Sequence, residues 1–178
     1  MTLAEAIEAG DLLAVARHYV AAGLSVIPVR ADGSKAAAVK WADLMERAPT
    51  ADELTAWFAP HRAVGVAIVC GKVSGNLAVM DFESDSAWRR WHDRAAALGI
   101  ADWYAGFPLV RTPKGGRHLY CRIAQQPAPG GKLAMRSKSE TLIEVRGQGN
   151  YVLAPGCPTC CHELNAPYTF ESLGWLNG

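Results

Sequence analysis

The stretch Leu77-Ala78-Val79-Met80-Asp81-Phe82-Glu83 is an apolar run that ends in two carboxylates one residue apart. Read as a strand, it sends Asp81 and Glu83 to one side and Met80 and Phe82 into the opposite layer, because strand side chains alternate. Like charges that close repel each other, so the pair is tolerated where a divalent cation or a strong donor offsets it. A second apolar strand, Thr141-Leu142-Ile143-Glu144-Val145-Arg146, carries a third carboxylate. Between them, Thr112-Pro113-Lys114-Gly115-Gly116-Arg117-His118 reads as a turn that delivers a histidine into a strand. Taken singly, each element has an ordinary reading: a strand end turning polar, an exposed glutamate, a structural histidine, a tight turn. Their joint occurrence, after residues that look buried on both faces, is what points to a site.

With 178 residues, half of them apolar and 20% charged, the chain is long enough for one globular domain spanning residues 1–178 around a sizeable core. The net charge of +1 says little about partners, but its distribution says more. Acidic residues are frequent at the start (Glu5, Glu8, Asp11), while Arg111, Lys114, Arg117, Arg122, Lys132, Arg136, Lys138 and Arg146 crowd the second half, which looks built for anions. No segment approaches the run of about 18 apolar residues that spans a bilayer, and the acidic N-terminus is unlike a signal peptide, so a cytoplasmic protein without membrane contact is expected. Five cysteines, an odd number, fit reduced thiols better than a disulfide framework.

The apolar pattern predicts an α+β fold with mixed or antiparallel sheets flanked by helices. One amphipathic helix is expected from about Leu3 to Ala22, ended by Gly23, and a strand over Leu24 to Val29. Thr50-Ala51-Asp52-Glu53 is a capping-box pattern opening a helix that ends near Trp57 or Phe58. A strand over Gly65 to Cys70 should form a hairpin with the carboxylate strand through Gly71 to Asn76. Ser84-Asp85-Ser86 can cap a helix carrying Trp88, Trp91, Ala95 and Leu98 and closed by Gly99. A second hairpin joins Val110–Thr112 to Arg117–Ile123, and a third joins Thr141–Arg146 to Tyr151–Ala154 around Gly147-Gln148-Gly149-Asn150. Pro155 stops the last strand.

Chemically these parts suit nucleotidyl transfer. Magnesium or manganese prefers oxygen ligands, and two such ions stabilise the attacking and leaving oxygens of an in-line phosphoryl displacement. Three carboxylates suffice to seat them. The Gly115-Gly116 turn lets backbone approach a phosphate, Lys114 and Arg146 can neutralise triphosphate charge, and His118 can donate to a phosphate oxygen.

The chain resembles the bifunctional DNA primase/polymerase domain of the archaeo-eukaryotic primase superfamily, of the type carried by plasmids, phages and other mobile elements. The resemblance rests on the ordered set Asp81 and Glu83, Gly115-Gly116-Arg117-His118, and Glu144-Val145-Arg146-Gly147 running to Ala154-Pro155. It extends to Ala22 through Val29, Gly33-Ser34-Lys35, Lys40-Trp41, Ala51-Asp52-Glu53-Leu54 leading to Trp57, and Gly65 through Ile68, covering the chain from about Ala16 to Phe170. It departs from the commoner pattern in having Asp-x-Glu for Asp-x-Asp, Glu for Asp as the third acid, and Gly116 where some relatives have Ser. The resemblance implies an archaeo-eukaryotic primase-type core and a DNA primase/polymerase that performs template-directed two-metal synthesis. Asp81, Glu83 and Glu144 would then be the magnesium or manganese ligands. His118 would bind the phosphates of an incoming dNTP or NTP, with Lys114, Gly115, Gly116, Arg117 and Arg146 around it. Single-stranded DNA would be the template, and a helicase domain commonly follows in the same full-length chain.

Two other classes stand beside this reading: a metal-dependent nuclease or nucleotide hydrolase using the same carboxylates with water as nucleophile, and a non-catalytic nucleic-acid-binding module. Cys157, Cys160, Cys161 and His162 include a Cys-x-x-Cys knuckle that can bind zinc. Adjacent ligands make a tetrahedral site awkward, so a cysteine-rich turn is the simpler expectation. Most of the six tryptophans are expected in the core, with Trp88 and Trp91 sharing one helix face.

Overall fold

The computed structural model describes residues 1–177. Its strands form two antiparallel sheets, a three-stranded one ordered β1-β2-β8 and a six-stranded one ordered β6-β7-β3-β5-β4-β9. The small sheet comprises β1 (Ser25–Arg30), β2 (Val64–Val69) and β8 (Tyr151–Leu153). The large sheet comprises β3 (Leu77–Phe82), β4 (Leu109–Arg111), β5 (Arg117–Arg122), β6 (Gly131–Ser137), β7 (Glu140–Arg146) and β9 (Thr169–Ser172). The α+β architecture is as expected, and no described helix is long and apolar enough to cross a membrane.

The N-terminal segment forms two helices rather than one, α1 (Leu3–Glu8) and α2 (Leu12–Ala21). Gly10 adopts a left-handed φ of 67°, and the Asp11 side chain caps α2 by accepting from Ala14 N, so a cap hidden inside an apolar periodicity breaks the helix. Tyr19 of α2 is fully buried and donates to the Pro155 carbonyl at 2.7 Å, which ties this helix to the end of β8. The capping box of α3 (Ala51–Trp57) forms as read, with Thr50 and Glu53 satisfying each other's backbone amides.

Two expected hairpins are absent. The links Gly71–Asn76 and Gly147–Asn150 carry the chain between sheets: β2 and β8 pair with each other, while β3 pairs with β5 and β7. The crossings lie against each other, since Gln148 Oε1 accepts from Lys72 N at 2.8 Å and a Cβ on Gly71 would fall on the Gln148 side chain. The hairpin from β4 to β5 forms as expected.

Strand β3 separates two cores. Leu77 and Val79 join the large cluster built on the small sheet, α1, α2 and α3. On the other face Phe82, with Met80 beside it, packs on α4 (Asp85–Ala97) and α5 (Ala101–Tyr104). Ser84 caps α4, and Trp88 meets the Phe82 ring edge-on at 5.1 Å, with Trp91 at 5.2 Å. Removing so large a buried ring typically costs about 3–5 kcal/mol.

Candidate active site

Antiparallel register brings distant residues into one row. Asp81 lies opposite His118 on β5 and opposite Glu144 on β7, so the three side chains stand side by side on one face of adjacent strands. Two residues along β7, Arg146 reaches the same face and lies opposite Val79.

Their contacts explain how like charges coexist in a partly buried place. Arg146 donates from Nε and Nη2 to Asp81 Oδ2, both at 3.3 Å, and its Nη2 is 3.0 Å from Glu144 Oε2. His118 Nε2 stands 3.4 Å from Asp81 Oδ1. Burial alone would raise the Asp81 carboxyl, but the hydrogen bond from His118 and the charges of His118 and Arg146 outweigh it and hold the group below its ordinary value. Glu83, just past the end of β3, behaves oppositely: burial and then the neighbouring Asp81 charge push it up, only partly offset by Arg146 and Lys114. The two neighbouring carboxyls, Asp81 and Glu83, are thus shifted in opposite directions.

Asp81, His118 and Arg146 line one wall of a cavity of about 510 Å³ between the sheets. Ser34, Lys35, Trp41, Tyr151 and Tyr168 are among the residues that complete it. The Tyr151 hydroxyl donates to the Lys35 carbonyl at 2.9 Å and accepts from Ala37 N at 3.1 Å, so the loop bearing Lys35 is strapped to β8. Sequence reasoning did not assign these residues a role. Gly33-Ser34-Lys35 and Lys40-Trp41 were visible only as family-like flanking motifs, and Tyr168 carried no signal because it follows Pro167 in a short stretch with no motif of its own. His118 is 6% exposed and its Nδ1 has no hydrogen-bond partner among the described residues, a buried donor or acceptor on the wall of a polar cavity.

The other expected residues divide. Gly116 is needed where it stands, because a Cβ there would fall on the Phe82 carbonyl oxygen, and Gly115 has a left-handed φ of 84°. Lys114 sits at the turn, paired with Glu163 at 3.0 Å, close enough for its charge to act on Glu83. Arg117 does not join the row. Strand alternation turns it to the helix-bearing face, where it is buried, 2.6 Å from Glu171 and 3.3 Å from Asp85, and donates to the Gly115 and Gly116 carbonyls. Its role in the structure is to fix the Gly-Gly turn from behind.

Among the described residues, no three His, Cys, Asp or Glu side chains stand together as a metal cage. At the cysteine segment, Cys157 and Cys161 are buried against Gly65, Cys160 is exposed, and His162 Nδ1 accepts from Leu164 N at 3.1 Å. At the carboxylates the donors suit a hard cation, because Asp81 and Glu144 already share one positive group, the Arg146 guanidinium. Glu83, exposed just past the end of β3 and close enough to feel the charges of Asp81 and Glu144, is a third oxygen donor beside them.

The family model described as bifunctional DNA primase/polymerase, N-terminal, matches residues 16–173. No curated protein matches the chain.

Proposed function

The chain belongs to the bifunctional DNA primase/polymerase family, whose general chemistry is nucleotidyl transfer, and on that premise we propose that it is a template-directed enzyme acting in the cytoplasm that joins dNTPs or NTPs on single-stranded DNA. The observation that carries this reading is the row His118, Asp81, Glu144 with Arg146 beside it, on the wall of a polar cavity.

Asp81, Glu83 and Glu144 would hold two magnesium or manganese ions. Bound there, the ions supply charge neutralisation at the α-phosphate and a more acidic attacking hydroxyl. The remaining work falls to the chain's own groups. Arg146, released from the two carboxylates it bridges, turns its fork of donors to the triphosphate. His118 offers its unpartnered ring nitrogen to a phosphate oxygen, while Asp81 orients the ring from the other side. Gly115 and Gly116 leave room for backbone amides to approach, and Lys35 adds charge from the opposite wall. The elongating 3′-hydroxyl, or the hydroxyl of an initiating nucleotide, attacks the α-phosphorus and pyrophosphate leaves. A helicase domain in the same full-length polypeptide would supply the single strand.

Primer-extension and de novo synthesis assays on a single-stranded template, with each nucleotide type and with magnesium or manganese, test the proposal. Template-dependent products are expected from the parent and none from the double variant Asp81→Ala/Glu83→Ala. Hydrolysis of template or nucleotide without synthesis would replace the polymerase reading with a nuclease or hydrolase one.

A further inference from the structure

On the face of the large sheet away from the cavity, a groove of about 420 Å³ runs between α4 and the hairpin of β6 and β7. Its floor is apolar, with Trp91, Ala134 and Leu142, and its sides carry Arg90, Arg94 and Arg136. Arg136 pairs with Glu140 at 2.8 Å, both exposed. Arg90 and Arg94 are exposed and have no carboxylate within ion-pair distance among the described residues. They follow the helical spacing of Ala87, Trp91 and Ala95, so they flank the same face, whereas Asp93 points off it.

We infer that this groove is a binding site for single-stranded nucleic acid, separate from the nucleotide cavity. Guanidinium groups that flank an aromatic floor are the combination that holds an unpaired strand: the charges track phosphates while flat apolar surface accepts bases. An ordinary solvated helix face would pair its arginines i to i+4 with acids, as Arg89 does with Asp85 at 2.7 Å, and would not place an indole beneath them. The groove lies behind the row of acids, because Ile143 turns to the opposite face of β7 from Glu144, so it is a site outside the cavity where a strand is held on the far side of the large sheet. The inference rests on the polymerase reading for the identity of its strand as template.

The test is fluorescence anisotropy of a labelled single-stranded oligothymidylate titrated with the parent, with Arg90→Ala/Arg94→Ala, and with the equally discharged control Arg17→Ala/Arg62→Ala, all with melting curves recorded. The groove variant is expected to bind roughly tenfold more weakly, and its slope of log affinity against log salt should fall by about 1.4, from two lost phosphate contacts at about 0.7 each. The control should match the parent, and the affinity of the groove variant for a free nucleoside triphosphate should be unchanged. Equal losses in both variants would mean that net charge alone attracts DNA, and an unchanged slope in the groove variant would also overturn the site. Displacement of the oligonucleotide by polyglutamate as readily as by unlabelled DNA at matched ionic strength would reassign the groove to an acidic protein partner. The two readings separate cleanly: synthesis by a parent whose DNA binding ignores Arg90 and Arg94 sinks the groove alone, while groove-dependent binding without synthesis sinks the polymerase reading alone.

Discussion

The two faces of β3 do different work with alternate residues of one strand. On one face Met80 and Phe82 close a core of aromatic rings against α4 and α5. On the other, Val79 is core and the very next residue on that face, Asp81, is ion-paired at the cavity wall. The lesson is that one face of the strand is held by packing alone, while the other passes from core to paired charge within two residues, with Arg146 and His118 offsetting the acids.

Substitutions on each face should therefore separate stability from chemistry. The largest divergence is expected from Asp81→Ala, with synthesis lost below detection and the urea midpoint only modestly lowered, because the lost pairing with His118 and Arg146 is partly offset by relieved repulsion with Glu83. A variant that still extends a primer at near the parent rate would break the comparison. Phe82→Ala is the converse: unfolding titrations should register a loss of about 3–5 kcal/mol. Any remaining folded fraction should keep its nucleotide affinity.

Gly116→Ala should damage both faces at once, since the added methyl meets the Phe82 carbonyl and pushes β5 from β3 where the row forms. A stability cost of about 1–3 kcal/mol is expected, together with weakened nucleotide binding. His118→Ala sharpens the division within the cavity face. Nucleotide titrations should weaken strongly while oligonucleotide affinity stays nearly constant, and an equal loss of both would remove the phosphate role.

The smallest effects are in the pH dependence of stability. Asp81 has its carboxyl lowered in the fold, so its favourable contribution is present above the unfolded value of 3.8 and fades as pH falls through its lower folded value. Glu83 has its carboxyl raised, so its contribution favours the fold at acid pH and is lost as pH rises through the folded value. Asp81→Asn should flatten the acid limb of a stability profile, and Glu83→Gln should slightly raise the melting temperature at neutral pH. A lowered melting temperature for Glu83→Gln would mean that its charge is matched by a partner.

Much of this was legible in the chain because it is local. The cap residues Thr50 and Ser84, the strand alternation at Asp81 and Phe82, and the turn at Gly115 each depend on neighbours a few residues away, and the structure has them as read. What failed was long-range. A short glycine-bearing link between two apolar strands looks the same whether it returns within one sheet or crosses to another, so Gly71–Asn76 and Gly147–Asn150 were misread as hairpins. Strands β6 and β9 escaped notice because they lie at the sheet edges, where β6 exposes nearly all of its residues and β9 is only four residues long, too short for its alternation to stand out. Arg117 was placed with His118 because they are adjacent in sequence, yet adjacency in a strand means opposite faces. Lys35, Trp41 and Tyr151 meet at the cavity through a hydroxyl strap that no sequence spacing encodes.

The paired crossings at Gly71 and Gln148 have a consequence for the width of the cavity. Each sheet supplies one wall of the cavity, and these links hold the walls together beside Gly149 and Asn150 at its lining. The clearance of the cavity is thus set partly by uncharged backbone away from the row of acids. A bulkier residue at position 71 would press on Gln148 and spread that junction, altering what the cavity admits while the row of acids stays chemically intact.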